Sequence, residues 1–169
     1  MSEYSLEFSE KLIEAARAIL PGCEASVESR RAVLYLSLLA SEIALKALLE
    51  HAGKPIPEIV RCQHRLADLL EETDRCFVNT IIVAGGNERR WIPATSIRAL
   101  AIQAEGEVST VGAFLNCESR GASQYPNEVR YGTRLVHFPP LAALSAATRI
   151  NNWANEHWDH FRLLPPDHG

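Results

Sequence analysis

Cysteine is sparse and scattered in this chain. Only four occur, Cys23, Cys62, Cys76 and Cys117, with no Cys-x-x-Cys pair, so zinc-ribbon and thioredoxin-type chemistry lack their spacing and free buried thiols are expected. Basic excess is missing too. The formal net charge is -4 and the pI about 5.9, which leaves any nucleic-acid contact to a local patch instead of the field of the whole protein. No uninterrupted apolar run approaches the roughly 18 residues of a spanning helix. The first residues carry Glu3, Glu7 and Glu10 where a leader would be basic and then apolar, so a cytoplasmic protein with no membrane partner is expected. Phosphate-loop, dinucleotide and nucleophile motifs are absent: Ala84-Gly85-Gly86-Asn87 lacks the Lys-Ser/Thr ending and the helix that would follow. No repeat or low-complexity tract marks a second domain. The pattern calls for no metal and no cofactor.

What is present is core-forming. With 169 residues, 47% hydrophobic and 22% charged, the chain suits a single domain over 1–169. Leu6, Leu12, Ile13, Ala16 and Ile19 recur at helical steps and predict a first amphipathic helix over 5–20, closed by Pro21-Gly22. Ser26 to His51 is apolar around most of its circumference and has no internal Gly or Pro, the pattern of a central helix contacted on several sides. A third helix is expected over about 64–77, a fourth at roughly 95–117, and a last one over 141–164 through Leu144, Ala147, Ile150, Trp153, Trp158 and Phe161. Residues 79–83 read equally as a short strand or a helix end. The fold class expected is all-α, an up-and-down bundle of four to five helices with an insertion around 79–120. A connection of about twenty residues links Glu118 to Pro140.

Glu42 and Lys46 stand i, i+4 with the acid first, the favourable order for a helical ion pair. On so apolar a helix the pair either fixes packing or lines a groove, since an unpaired charge there is costly. Tyr125, Arg130, Tyr131 and Arg134 bring aromatic faces and cations into one segment, chemistry suited to stacking a base and holding a phosphate; the alternative is tyrosines packed on the bundle with arginines in water. Arg89-Arg90-Trp91 repeats that choice on a smaller scale. Asn151, Asn152, Asn155, His157 and His160 offer inter-helix hydrogen bonds or, for the two histidines, a weak chelating pair.

An apolar helix with Glu42-x-x-x-Lys46, a loop containing Gly53, and then His64-x-Leu66-x-x-Leu69-Leu70 resembles the HEPN family of nucleotide- and RNA-associated helical bundles. The Tyr125-Pro126 step is similar to a segment that precedes the family's last long helix. Together they span most of the chain except roughly 78–118. The resemblance implies a nucleotide- or RNA-associated module of a stress, toxin-antitoxin or phage-defence system. Glu42, Lys46, Tyr125, Tyr131 and Arg134 are its binding candidates. If catalytic, it implies a metal-independent endoribonuclease working as a homodimer. Ribonucleases of the family carry Arg, four to six residues, then His, in which Arg stabilises phosphorane charge and His moves a proton. Arg130 and His137 fit with six intervening residues and Arg162 and His168 with five; the first pair is the catalytic candidate, although Tyr131 occupies the place of the family's polar residue. The rival expectation is a non-catalytic domain for dimerisation or for holding a partner such as a nucleotidyltransferase.

Overall fold

The computed structural model describes residues 1–83, 85–104, 107–120, 125–131 and 139–166. Three long helices build its centre: α1, Leu6–Ile19; α2, Val27–His51; and, after the shorter α3 (Ile56–Arg61), α4 (Leu66–Asp74), α5 (Val111–Arg120) and α6 (Asn127–Tyr131), the last long helix α7, Pro140–His157. Ser5 and Ser26 start α1 and α2 by accepting the Phe8 and Ser29 N–H groups at 3.2 Å, which satisfies donors that the first turn leaves free. Gly53, at φ 101°, ends α2 in a backbone region that suits glycine.

Helix α2 is the axis, packed by α1, α4 and α7. Leu34, Leu38, Leu45, Leu48 and Leu49 are buried and join Leu66, Leu69, Leu70, Ile150 and Phe161 in the main core. A second cluster of Ile13, Ala16, Val33, Ala40, Leu144 and Ala147 fills the seam where α1, α2 and α7 meet. Helix α2 is long and apolar enough to cross a membrane, but 72% of its apolar window is buried inside the fold, so the core already uses that apolarity.

The molecule is mostly helical, and the all-α expectation needs correcting: a small antiparallel sheet orders β2 (Glu88–Pro93), β1 (Phe77–Ile82) and β5 (Phe161–Arg162). The third helix stops at Asp74 instead of running to Phe77. By Cys76 the chain is already pairing with strand, its carbonyl accepting the Ala94 N–H at 2.8 Å. The last helix stops at His157 because Phe161, fully buried, pairs with Val78 in the sheet. Region 95–117, expected as a helix, is a 3-10 turn at Thr95–Ile97, a hairpin of β3 (Ala101–Ala104) and β4 (Glu107–Thr110), and then α5. Val108 and Thr110 are β-branched and suit β4, and at the start of α5 the Val111 and Gly112 N–H groups bond back to the Leu100 and Arg98 carbonyls at 2.9 and 3.0 Å. Nor is 79–120 a mere insertion, since Ile97, Ile102, Val111 and Leu115 belong to the main core.

Candidate functional site

Arg31, Tyr35, Glu42 and Lys46 fall at steps of four, seven and four along α2, so they form one polar stripe down an otherwise apolar helix. Glu42 is its centre. Only 3% exposed, its carboxylate accepts three hydrogen bonds: Lys46 Nζ on Oε1 at 2.8 Å, His64 Nδ1 on Oε1 at 2.9 Å, and the Tyr125 hydroxyl on Oε2 at 2.5 Å. A buried carboxylate with that many donors avoids the desolvation cost of an unpaired charge.

Each donor arrives from a different element. Lys46 lies one turn beyond Glu42, its ammonium 5.4 Å from the centre of the Tyr4 ring. Tyr4 is held in place by Glu50, whose carboxylate accepts the Glu3 and Tyr4 N–H groups at 2.7 and 2.8 Å. His64 sits in the turn between α3 and α4, directly after Gln63, whose φ of 52° is the left-handed backbone of a non-glycine residue. Such conformations cost about 1 to 3 kcal/mol and gather at functional sites. Tyr125 precedes a cis peptide bond to Pro126. Burial first, and then the neighbouring Glu42 charge, push its phenol far above the usual range, so it stays a proton donor at any working pH.

Outward from Glu42 the site becomes aromatic and cationic. His64 meets the Tyr125 ring edge-on at 6.2 Å between centroids, and Tyr125 lies 6.1 Å from Tyr35. The exposed Arg130 on α6 donates from Nη2 and Nε to the Tyr35 hydroxyl at 2.6 and 3.0 Å, its guanidinium 5.2 Å from the ring centre. Arg31 ties α6 to α2 by donating to the Val129 carbonyl at 2.8 Å. The result is a row of His64, Tyr125, Tyr35 and Arg130 with a buried carboxylate behind one end.

Of the expected site residues, Glu42, Lys46 and Tyr125 come together directly, and Arg130 joins them through Tyr35. His137, Arg134 and the Tyr131 side chain lie outside the described residues, as does His168 of the second Arg/His pair. Compared with family models, curated proteins and solved structures, the chain matches none. Tyr35 and His64 were missed as site residues. Tyr35 was detectable as a member of the polar stripe on α2, and His64 by its place in the motif that carried the HEPN resemblance.

Other candidates serve the fold. Asn151 on α7 donates to Leu6 O and Ser9 Oγ on α1 at 3.4 and 3.3 Å, and Asn155 donates to Asn151. His157 packs on Trp153 with 4.5 Å between ring centres, and burial lowers its pKa. Among the described residues no three of His, Cys, Asp and Glu gather as metal ligands. The β1–β2 pairing carries Arg89 and Arg90 on an exposed strand, with Arg90 bonded to Glu88 at 2.8 Å.

Proposed function

We propose that this protein is a HEPN-like, RNA- or nucleotide-associated module, and that the row of His64, Tyr125, Tyr35 and Arg130 is the face that receives the ligand. One observation carries this reading: the three segments behind the resemblance, Glu42-x-x-x-Lys46, His64-x-Leu66 and Tyr125-Pro126, are far apart in sequence and meet on one carboxylate. A chance likeness of helical patterns gives no reason for them to meet. The chemistry agrees, since an exposed guanidinium suits a phosphate and a half-buried tyrosine ring such as Tyr35 suits the stacking of a base. The finer reading is a metal-independent endoribonuclease of a stress, toxin-antitoxin or defence system, acting as a homodimer with Arg130 and His137 as its pair.

The alternative is a non-catalytic module that dimerises or holds a partner such as a nucleotidyltransferase. The internal closure of the cluster favours it, because Glu42, Lys46, His64 and Tyr125 satisfy one another and so clamp α2, the turn before α4 and the segment before α6. The test is binding and cleavage of a mixed RNA pool in EDTA by wild type, Arg130→Ala and His137→Ala, with cleaved ends sequenced. Binding weakened by Arg130→Ala, with or without cutting, is the expected result. RNA neither bound nor cut at micromolar protein leaves the partner-holding module.

A further inference from the structure

His64 combines two properties that no other described member of the cluster shares. Its Nδ1 is engaged with a buried carboxylate, and 53% of its side chain is exposed. Glu42 receives an ammonium and a phenol as well. The Lys46 ammonium can only donate, and the Tyr125 hydroxyl donates to Oε2, so both oxygens serve as acceptors, the arrangement of an ionised carboxylate. An ionised carboxylate has no proton to give, and Nδ1 must therefore be the N–H of the pair. In neutral His64 this puts the lone pair on Nε2, which makes no hydrogen bond to any described residue. A carboxylate orienting an imidazole through Nδ1, with Nε2 turned to the reacting group, is the geometry of a general base.

We infer that His64 is the proton-accepting residue of this site and Glu42 its positioning carboxylate, acting on the 2'-hydroxyl of an RNA strand laid along the Tyr35 and Arg130 face. This rests on the ribonuclease reading above, and within it gives the base role to His64 in place of His137. In the step, Nε2 takes the 2'-hydroxyl proton while O2' forms a bond to the adjacent phosphorus and the bond from phosphorus to O5' breaks. The departing O5' takes a proton from water, and the hydroxide left behind recovers the proton held by His64. The products are a 2',3'-cyclic phosphate and a 5'-hydroxyl, with no oxidant, reductant or metal consumed. Arg130, at the far end of the row, holds the phosphate backbone of the strand.

The experiment uses the full chain with a 5'-labelled single-stranded RNA in EDTA, following binding and cleavage in parallel for wild type, His64→Ala, Glu42→Gln and Arg130→Ala. His64→Ala should lose 10²- to 10⁴-fold in cutting rate at saturating RNA, about the contribution of a general base, a loss far larger than any weakening of binding. Added imidazole should restore part of that loss, which no structural role of His64 would allow. Glu42→Gln should lower kcat with little change in KM, and nitrogen NMR should show His64 losing its Nδ1–H preference. Should that variant fold poorly, the His64→Ala rescue and the tautomer of wild-type His64 still decide the matter. RNA bound but never cut, cutting unaffected by His64→Ala, or a neutral Nε2–H tautomer would each overturn the role of His64 while leaving the RNA-associated module standing. RNA neither bound nor cut would overturn both.

Discussion

Glu42 and Lys46 are two opposite charges in the core, and the energetics of such pairs are asymmetric. Breaking one partner strands the other in low dielectric and costs about 3 to 5 kcal/mol, whereas replacing both with apolar residues of similar volume is often neutral. Lys46→Met alone should therefore lower the stability of the protein by several kcal/mol, and the double variant Glu42→Leu with Lys46→Met should recover most of it in urea melts. The double variant also frees His64 and Tyr125 from their anchor, so stability should return while any cutting that depends on His64 stays lost. Tyr125→Phe removes one donor and leaves Oε2 short of a partner, a loss of about 1 to 3 kcal/mol measurable in the same way.

Among the described glycines, Gly112 at the entry to α5 has the least room for a side chain. A Cβ on Gly112 would lie 2.3 Å from Arg98 Cγ and 3.1 Å from the Arg98 carbonyl, and Arg98 is itself held by Asp74 at 2.7 Å. Gly112→Ala should displace Arg98 and destabilise the protein by about 1 to 3 kcal/mol, as overpacking does, with the thermal midpoint as readout. At the other end of the scale, Ser26→Ala removes only the cap of α2 and should cost about 1 kcal/mol. The contrast follows from location. A cap is replaced in part by water, while the seam between Arg98 and Gly112 has no room for an added atom.

For the molecule as a whole, buried acids that must stay neutral set an alkaline limit. Burial raises the Cys76 thiol to about 11 from its usual 9, and raises the Tyr125 phenol as well. Both groups hold their protons more tightly folded than unfolded. Their contribution to stability is thus complete below the unfolded pKa of each and is lost as pH climbs toward the folded values. Stability should fall between about pH 9 and 11, and Cys76→Ala combined with Tyr125→Phe should flatten that fall in melts run across the range. The same burial predicts that alkylation at pH 8 reaches the partly exposed Cys23 faster than Cys62 or Cys76, which mass spectrometry of the labelled protein would show.

The local periodicity of the chain by itself determined α1, α2 and the start of α7, because each runs for several turns with an apolar face that has no other stable conformation. It also flagged Glu42 and Lys46, since two charges on so apolar a helix demand a partner. What only the tertiary structure decided lies where short segments choose their conformation by their neighbours. Phe77 and Phe161 fit a helical pattern as well as a strand, and the cross-strand pairing between them and their partners settled the matter. Region 95–110 became a turn and hairpin because its backbone found carbonyls and hydroxyls of other segments, among them Ser145 Oγ accepting the Gln103 N–H at 3.0 Å. The meeting of His64 and Tyr125 on Glu42 was equally invisible to spacing rules. It joins residues 22 and 83 positions away from the carboxylate, and such contacts are set by the packing of whole helices, not by any local preference of the chain.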